Sequence, residues 1–236
     1  MFISNKKVSE TPLEMLDRLR IEKPEIKDEK LSYAGRLDPM AEGEVLILVG
    51  EENKEYQKYL EYDKEYLATF IVGMHTDTGD VLGLIENQKI LNITEDELIG
   101  KVFKLKEIKE QKYPWFSSKT IGGIKLFDHF KKGNTNIERP SRDVSIMESE
   151  FLNLKSEPTA NIKNYINDNV SKVKGDFRQN EILEKWREYF DSVKDEKIQT
   201  FQIKLKVGSG TYIRGLTENF GFPVTLIKLN RTKIFI

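Results

Sequence analysis

The stretch Tyr33-Ala34-Gly35-Arg36-Leu37-Asp38-Pro39 places one acidic side chain on a forced turn just ahead of a buried strand. Gly35 is free to take a positive φ. Pro39 fixes its own φ and lacks an N–H, and a residue before proline is pushed out of the helical region. The Asp38 carboxylate therefore sits on a stiff, non-helical loop. Downstream, Val45 to Val49 is an unbroken apolar run closed by Gly50, the pattern of a strand covered on both faces. A loop mounted on such a strand is a rigid place for a reactive group, which makes Asp38 the candidate nucleophile. Taken alone, an Asp-Pro step is also an ordinary turn, because both residues favour turns.

Other motifs along the chain decide between these two readings. Arg36-Leu37-Asp38-Pro39-Met40-Ala41-Glu42-Gly43 resembles the G-x-L-D-P-x-A-x-G box of the TruB family of tRNA pseudouridine synthases, whose Asp is the essential catalytic residue. Lys64-Glu65-Tyr66 resembles the family's K-x-Y. Gly73 to Gly83, with Asp77 and Asp80, is similar to its G-x-x-T-D-T-x-D-x-x-G. Gln111, Pro114, Ser117, Gly123, Leu126 and Gly133 follow the spacing of its Q-x-P-P-x-Y-S-A-x-K-x-x-G-x-x-L-y-x-x-A-R-x-G block, with Lys119 one position before the block's lysine. Gly210 to Arg214 resembles G-T-Y-I-R, and Leu229 to Thr232 the closing L-R-R-T. The resemblance covers roughly residues 31–149 and 201–236, and the boxes recur in order.

Composition limits the remaining chemistry. At 236 residues the chain can bury a full core without a second module. It has no cysteine, no run of eighteen apolar residues and no apolar segment near Met1, so a cytoplasmic enzyme without disulfides, membrane span or signal peptide is expected. His75 and His129 lie far apart with no metal-ligand spacing, which argues against a metal mechanism. Carboxylates, Tyr, Lys and Arg must carry the reaction.

The net charge of −1 is unusual for a nucleic-acid binder, but the charge is segregated. Lys101 to Arg142 holds eleven basic and four acidic side chains, a net +7; Glu42 to Glu65 holds three basic and eight acidic, a net −5. A solvated lysine-rich surface would explain the first run. Its aromatics favour RNA: Tyr113, Trp115, Phe116, Phe127 and Phe130 alternate with lysines, and rings beside cations suit unpaired bases. Ile124, Phe127 and Phe130 recur at helical spacing after Gly123, so a helix with these three inward is expected.

Two strands and a helix frame the other candidates. Tyr66, Ala68, Phe70 and Val72 share one face of a strand with Lys64. A tyrosine in that place is ordinarily core with its hydroxyl at the rim. Phe201, Ile203, Leu205 and Val207 alternate with polar residues as a half-buried strand, broken by Gly208-Ser209-Gly210. Thr211 can then cap a helix with Ile213, Leu216 and Phe220 inward, ended by Gly221. Arg214 would fall in its first turn, slightly unfavourable beside a positive dipole end, which suggests an anionic partner. The glycine turn lacks the lysine and spacing of a phosphate-binding loop, so nucleotide hydrolysis is set aside.

The resemblance implies an α+β fold: one domain over residues 1–236, with a central mixed, largely antiparallel sheet flanked by helices and a cleft across it. A thumb-like insertion over about 104–149 would grip an RNA stem-loop, with Arg139 and Arg142 matching its R-x-x-R. It further implies that Arg214 pairs with Asp38, that Tyr66 stacks on the target base and handles a proton, and that Leu229 lines the base pocket. Arg36, Lys64, Asp77 and Lys119 are the remaining substrate-binding candidates. No cofactor or metal is implied; the partner is tRNA, by precedent uridine 55 of the TΨC loop, bound by a monomer.

The chain also departs from the family. Tyr33 stands where a histidine is thought to help hold the flipped-out uridine, which leaves another RNA or tRNA position open as target. The amino-terminal box is reduced to Asn5-Lys6-Lys7-Val8-Ser9, and no C-terminal RNA-binding module of the PUA type is expected. A segment over about 155–199 is extra, with apolar residues at helical spacing on both sides of Gly175. Asn161 to Ile198 carries eight basic and eight acidic side chains, so this insert is read as a helical hairpin packed on the domain. An inactive RNA-binding or RNA-folding protein is the reading from another class. Retention of Asp38, Tyr66 and Arg214 together speaks against it.

Overall fold

The computed structural model describes residues 1–193 and 197–236. Its centre is one seven-stranded sheet made of β1 (Phe2–Lys6), β2 (Leu31–Ala34), β3 (Ala41–Val49), β4 (Asp63–Val72), β11 (Ile146–Pro158), β12 (Lys197–Val207) and β13 (Val224–Phe235). The order is β1-β3-β13-β4-β12-β11, with β2 also on β3. Only β3 and β13 run parallel; every other pairing in the sheet is antiparallel. The expected mixed, largely antiparallel sheet is the one observed.

Period-two patterning settles which side chains face which layer. Tyr66, Ala68, Phe70 and Val72 of β4 join Phe201, Ile203, Leu205 and Val207 of β12 in the main core. Phe70 and Phe201 stack at 5.2 Å, and Phe220 closes on both. α1 (Pro12–Glu22) and α3 (Glu95–Lys104) cover this face with Met15, Leu16 and Leu19, and with Leu98 and Val102. Both helices start on a capping box, Thr11 with Glu14 and Thr94 with Glu97, which satisfies two otherwise unpaired N–H groups at each start. β3 is covered on both sides as its apolar run predicts: Val45 and Ile47 face the main core, while Leu46 and Leu48 pack with Ala34, Tyr59 of α2 (Tyr56–Leu60) and Ile234.

The extra segment forms α5 (Thr159–Val170) and α6 (Gln179–Ser192) between β11 and β12. Residues 194–196 of the expected 155–199 insert lie outside the described residues. Ile162, Ile166 and Val170 of α5 meet Ile182, Trp186 and Phe190 of α6, and together they bury Met40, Ile71, Val81, Leu82 and Ile227. The hairpin thus packs on the sheet as its apolar stripes require. Met40, two residues beyond Asp38, is part of that second core.

The remaining elements are small. β5 (Met74–Thr76) pairs with β6 (Ile85–Gln88). In the basic segment, β7 (Glu110–Lys112) pairs with β10 (Ser141–Asp143), enclosing the two-residue strands β8 (Thr120–Ile121) and β9 (Ile124–Lys125) and α4 (Leu126–Lys131). The helix expected after Gly123 is therefore shorter and differently faced. Gly122 and Gly123, both at positive φ, close a tight β8–β9 hairpin, which leaves Ile124 exposed and makes Leu126 the buried anchor. Phe130 packs on Trp115 and Phe116 at 5.9 and 4.9 Å.

Candidate active site

Gly35 takes φ +82°, and Asp38 follows on the turn ahead of β3. That turn is held from below by buried Lys6, whose ammonium donates to the carbonyls of Lys7, Pro39 and Ala41. Burial lowers the Lys6 pKa to about 8 against the raising effect of Glu10, Asp38 and Glu42. From the other end of the chain, buried Arg231 donates to the carbonyls of Gly35 and Glu44. The loop is fixed by cations satisfied on backbone oxygens, so the Asp38 carboxylate remains free for a partner of its own.

That partner is Arg214. Its Nε donates to Asp38 Oδ2 at 2.8 Å, Nη1 to Thr78 O at 2.9 Å and Nη2 to Phe116 O at 2.7 Å. Arg214 is buried, whereas the Asp38 side chain keeps 39% of its surface at the cleft mouth. Burial alone would push the Asp38 carboxyl up. The Arg214 charge and hydrogen bond, helped by Arg36 and Lys6, outweigh that and hold it below the usual carboxylate range. Asp38 is therefore ionised at neutral pH.

The segment carrying Arg214 differs from the expected helix. Ile213–Asn219 is a 3₁₀ helix, and the Thr211 hydroxyl donates to Gly208 O at 3.1 Å instead of capping it. The inward residues are the expected ones: Ile213, Leu216 and Phe220 are buried. Tight 3₁₀ geometry lets Gly79, at φ +79°, lie against the backbone of Arg214, where a Cβ would come within 2.5 Å of its carbonyl oxygen. Gln111 locks the same segment to the thumb: its Nε2 donates to Tyr212 O at 2.8 Å, and the Tyr212 N–H donates to Gln111 Oε1 at 2.9 Å.

Asp38 and Arg214 open onto a cleft of about 580 Å³ across the sheet. Tyr66 and Leu229 line it, as do Arg36, Lys64 and Arg142. Phe116 and Phe127 from the thumb form part of the wall, with Lys125 and Lys131 at 5.5 and 5.9 Å from the Phe127 ring. Lys64 is buried, not an exposed cation: its ammonium donates to the carbonyls of Leu60 and Tyr62, and burial with the Arg231 charge lowers its pKa to about 8.

Four sequence candidates fall outside the cleft lining. Tyr33, half-buried on β2 opposite Ile47, packs against the main core. Asp77 accepts the Leu84 N–H at 2.9 Å and pairs with Arg178 at 2.7 Å, its side chain 3% exposed. Lys119 lies over Tyr113, and Arg139 stacks over Trp115 while pairing with Glu218 at 3.2 Å. Lys119 and Arg139 still sit on the basic segment. Both Asp77 carboxylate oxygens are occupied inside the protein.

Asp80 and Arg178 are the residues sequence reasoning did not single out. Asp80, 7% exposed, lines the cleft and accepts hydrogen bonds from Thr78 Oγ1 and the Leu82 N–H, both at 2.9 Å. Burial pushes its carboxyl up to about 6. Its place in the G-x-x-T-D-T-x-D-x-x-G box was the available signal. Arg178 belongs to the insert, and nothing in its local sequence marks it.

A mixed sheet bearing a cleft of this composition is the pseudouridine synthase fold. The solved Cbf5-Nop10-Gar1 complex matches with a TM-score of 0.53 at 17% identity, over 98% of this chain and 47% of that one. An H/ACA RNP bound to a substrate RNA containing 2′-deoxyuridine matches at 0.51 and 16%, over 98% and 45%. Within that fold the chain belongs to the TruB family: the family's pseudouridylate synthase N-terminal domain matches residues 23–177. The tRNA pseudouridine synthase B of Listeria monocytogenes serotype 4b is 30% identical over 209 residues, 86% of this chain and 57% of that protein. That of Fusobacterium nucleatum is 32% identical over 154 residues, 65% and 51% respectively. The chain spans about half the length of the curated relatives it matches. No helix among the described residues is long and apolar enough to cross a membrane.

Proposed function

We propose that this chain isomerises a uridine in a tRNA loop to pseudouridine, with Asp38 as the attacking carboxylate and position 55 of the TΨC loop as the target. The observation that carries this reading is the 2.8 Å Asp38–Arg214 pair at the mouth of a cleft shared with Tyr66 and Leu229. The names of the similar proteins support the tRNA substrate.

The reaction breaks the bond between ribose C1′ and uracil N1, turns the base over and joins C1′ to C5. The proton lost from C5 is balanced by one gained at N1, so no atom is added or removed. Attack at C1′ or at uracil C6 requires an ionised carboxylate, which Arg214 maintains. Tyr66 stacks on the base and supplies a hydroxyl for proton movement. Leu229 keeps water from the detached base. The uridine must leave its stack to enter the cleft, which favours a preformed loop, and the basic thumb with Lys119, Arg139 and Arg142 takes the flanking phosphates.

Asp38→Asn should abolish conversion while tRNA binding persists; detectable turnover by this variant overturns the nucleophile assignment. Mapping pseudouridine in host tRNA and rRNA with and without the gene tests the target. Loss at position 55 supports it, loss at another site moves it, and no loss anywhere refutes the enzyme reading.

A further inference from the structure

The insert does more than cover the sheet: its connecting segment reaches the cleft. Arg178, in the left-handed region at φ +62°, starts α6 and projects its guanidinium between two other parts of the chain. Nη1 donates to Asp77 Oδ2 at 2.7 Å, and the guanidinium carbon lies 4.4 Å from the centre of the Phe116 ring. The pair is enclosed, with the side chains 17% and 3% exposed, so it is screened far less than a surface pair. Next to it, Asp176 pairs with Lys131 of the thumb at 3.2 Å. Arg178 falls just beyond residues 23–177, the span matched by the family.

The two groups that Arg178 holds are the neighbours of the two carbonyls that aim Arg214. Asp77 precedes Thr78, whose carbonyl accepts Nη1 of Arg214; Phe116 itself supplies the carbonyl that accepts Nη2. One segment comes from the turn after β5 and the other from the thumb. We propose that Arg178 is a positioning residue: by clamping Asp77 and the Phe116 ring together, it fixes the two carbonyls that turn Arg214 Nε toward Asp38. This rests on the reading of the cleft as a pseudouridine-forming site. It makes the insert a brace for the catalytic ion pair, supplied by a residue just beyond the span that the family matches.

A brace and a phosphate contact predict different kinetics. Arg178→Gln should lower the single-turnover rate at saturating tRNA about 10- to 100-fold, the scale of a misplaced catalytic group, while tRNA affinity changes less than about twofold. Arg178→Lys restores the charge opposite Asp77 without the planar stack and should recover part of the rate. Loosening Arg214 also raises the Asp38 carboxyl, so the acid limb of the rate profile moves to higher pH in Arg178→Gln.

Removing the cation strands a buried carboxylate and could simply destabilise the fold. Asp77→Asn/Arg178→Gln separates the two effects, because the neutral amide still accepts the Leu84 N–H. Stability should return in this double variant while the rate stays low. Recovery of the rate together with stability overturns the positioning role, as does weakened tRNA binding with an unchanged saturating rate. Titration of the Asp38 carboxyl by carbon NMR, wild type against Arg178→Gln, reads the brace without turnover. An upward shift supports it even if the wild-type chain modifies no tRNA offered; an unchanged titration refutes it even if the enzyme is active.

Discussion

Two loops bring carboxylates to the same arginine, and the arginine affects them differently. Asp38, on the loop before β3, is hydrogen-bonded to Arg214 at 2.8 Å and half-exposed at the cleft mouth. Its carboxyl is held below the usual range. The carboxylate of Asp80, on the loop after β5, is buried and, among the described residues, hydrogen-bonded only by the neutral Thr78 hydroxyl and Leu82 N–H. There burial, reinforced by the negative charge of Asp38, prevails over Arg214, and the carboxyl rises to about 6. A cation nearby is not enough to hold a buried carboxyl at its ordinary value; a direct hydrogen bond and some access to water decide it.

The most severe way to break this comparison is Arg214→Gln. It leaves Asp38 without its cation and removes the donors to Thr78 O and Phe116 O together. Removing one member of a buried pair typically costs about 3–5 kcal/mol. If about 3–4 kcal/mol of that is lost from the transition state, kcat/KM falls roughly 10²–10³-fold. The acid limb should also move toward neutral pH, because Asp38 loses the interaction that holds its carboxyl down. An unshifted limb in the residual activity would show that Arg214 does not set the ionisation of Asp38.

The next test sharpens the other half. Asp80 has a carboxyl raised from 3.8 in the unfolded chain to about 6 in the fold, so ionising it costs the native state. That cost is absent below about pH 4, grows as pH rises and is complete above about 6. Asp80→Asn should therefore gain stability over the wild type across that window, by up to about 3 kcal/mol at neutral pH. Asp38 behaves oppositely: its contribution is present above 3.8 and disappears as pH falls through its lower folded value. Urea unfolding at pH 4 and pH 7.5 checks this, and a pH-independent difference for Asp80→Asn would refute it.

These contrasts explain what could be read from the sequence. Asp38 and Tyr66 sit where the Pro39 turn and the period-two face of β4 fix direction, so the element and the facing were legible there, whereas Leu229 was marked only by the family's closing motif. The Arg214 segment was legible as an element with the right inward residues. Its 3₁₀ geometry was not, because it comes from the close approach of Gly79, more than a hundred positions away. Lys64 was legible as sharing the Tyr66 face, but its partners, the carbonyls of Leu60 and Tyr62, were not, because they carry no side-chain signature. Arg178 was invisible for the same reason: its value depends on Asp77 and Phe116, which only the folded insert brings to it.

The smallest expected effect comes from a third arginine–carboxylate pair, Arg139 with Glu218, which tests whether burial or pairing governs the first two. Here the side chains are 17% and 50% exposed, and the contact is 3.2 Å. An exposed pair of this kind contributes under about 1 kcal/mol, so Glu218→Gln should change stability by less than about 0.5 kcal/mol and lose even that in high salt. The same change frees Arg139, still stacked over Trp115 on the basic thumb, from its acidic competitor. If the thumb takes RNA phosphates as proposed, binding of a tRNA stem-loop should tighten, and the dependence of log affinity on log salt should steepen by up to about one unit. A salt series of binding constants for the two proteins measures both. A stability loss comparable to that of Arg214→Gln would mean that pairing itself, wherever it occurs, sets the energy, and the contrast between Asp38 and Asp80 would need another cause.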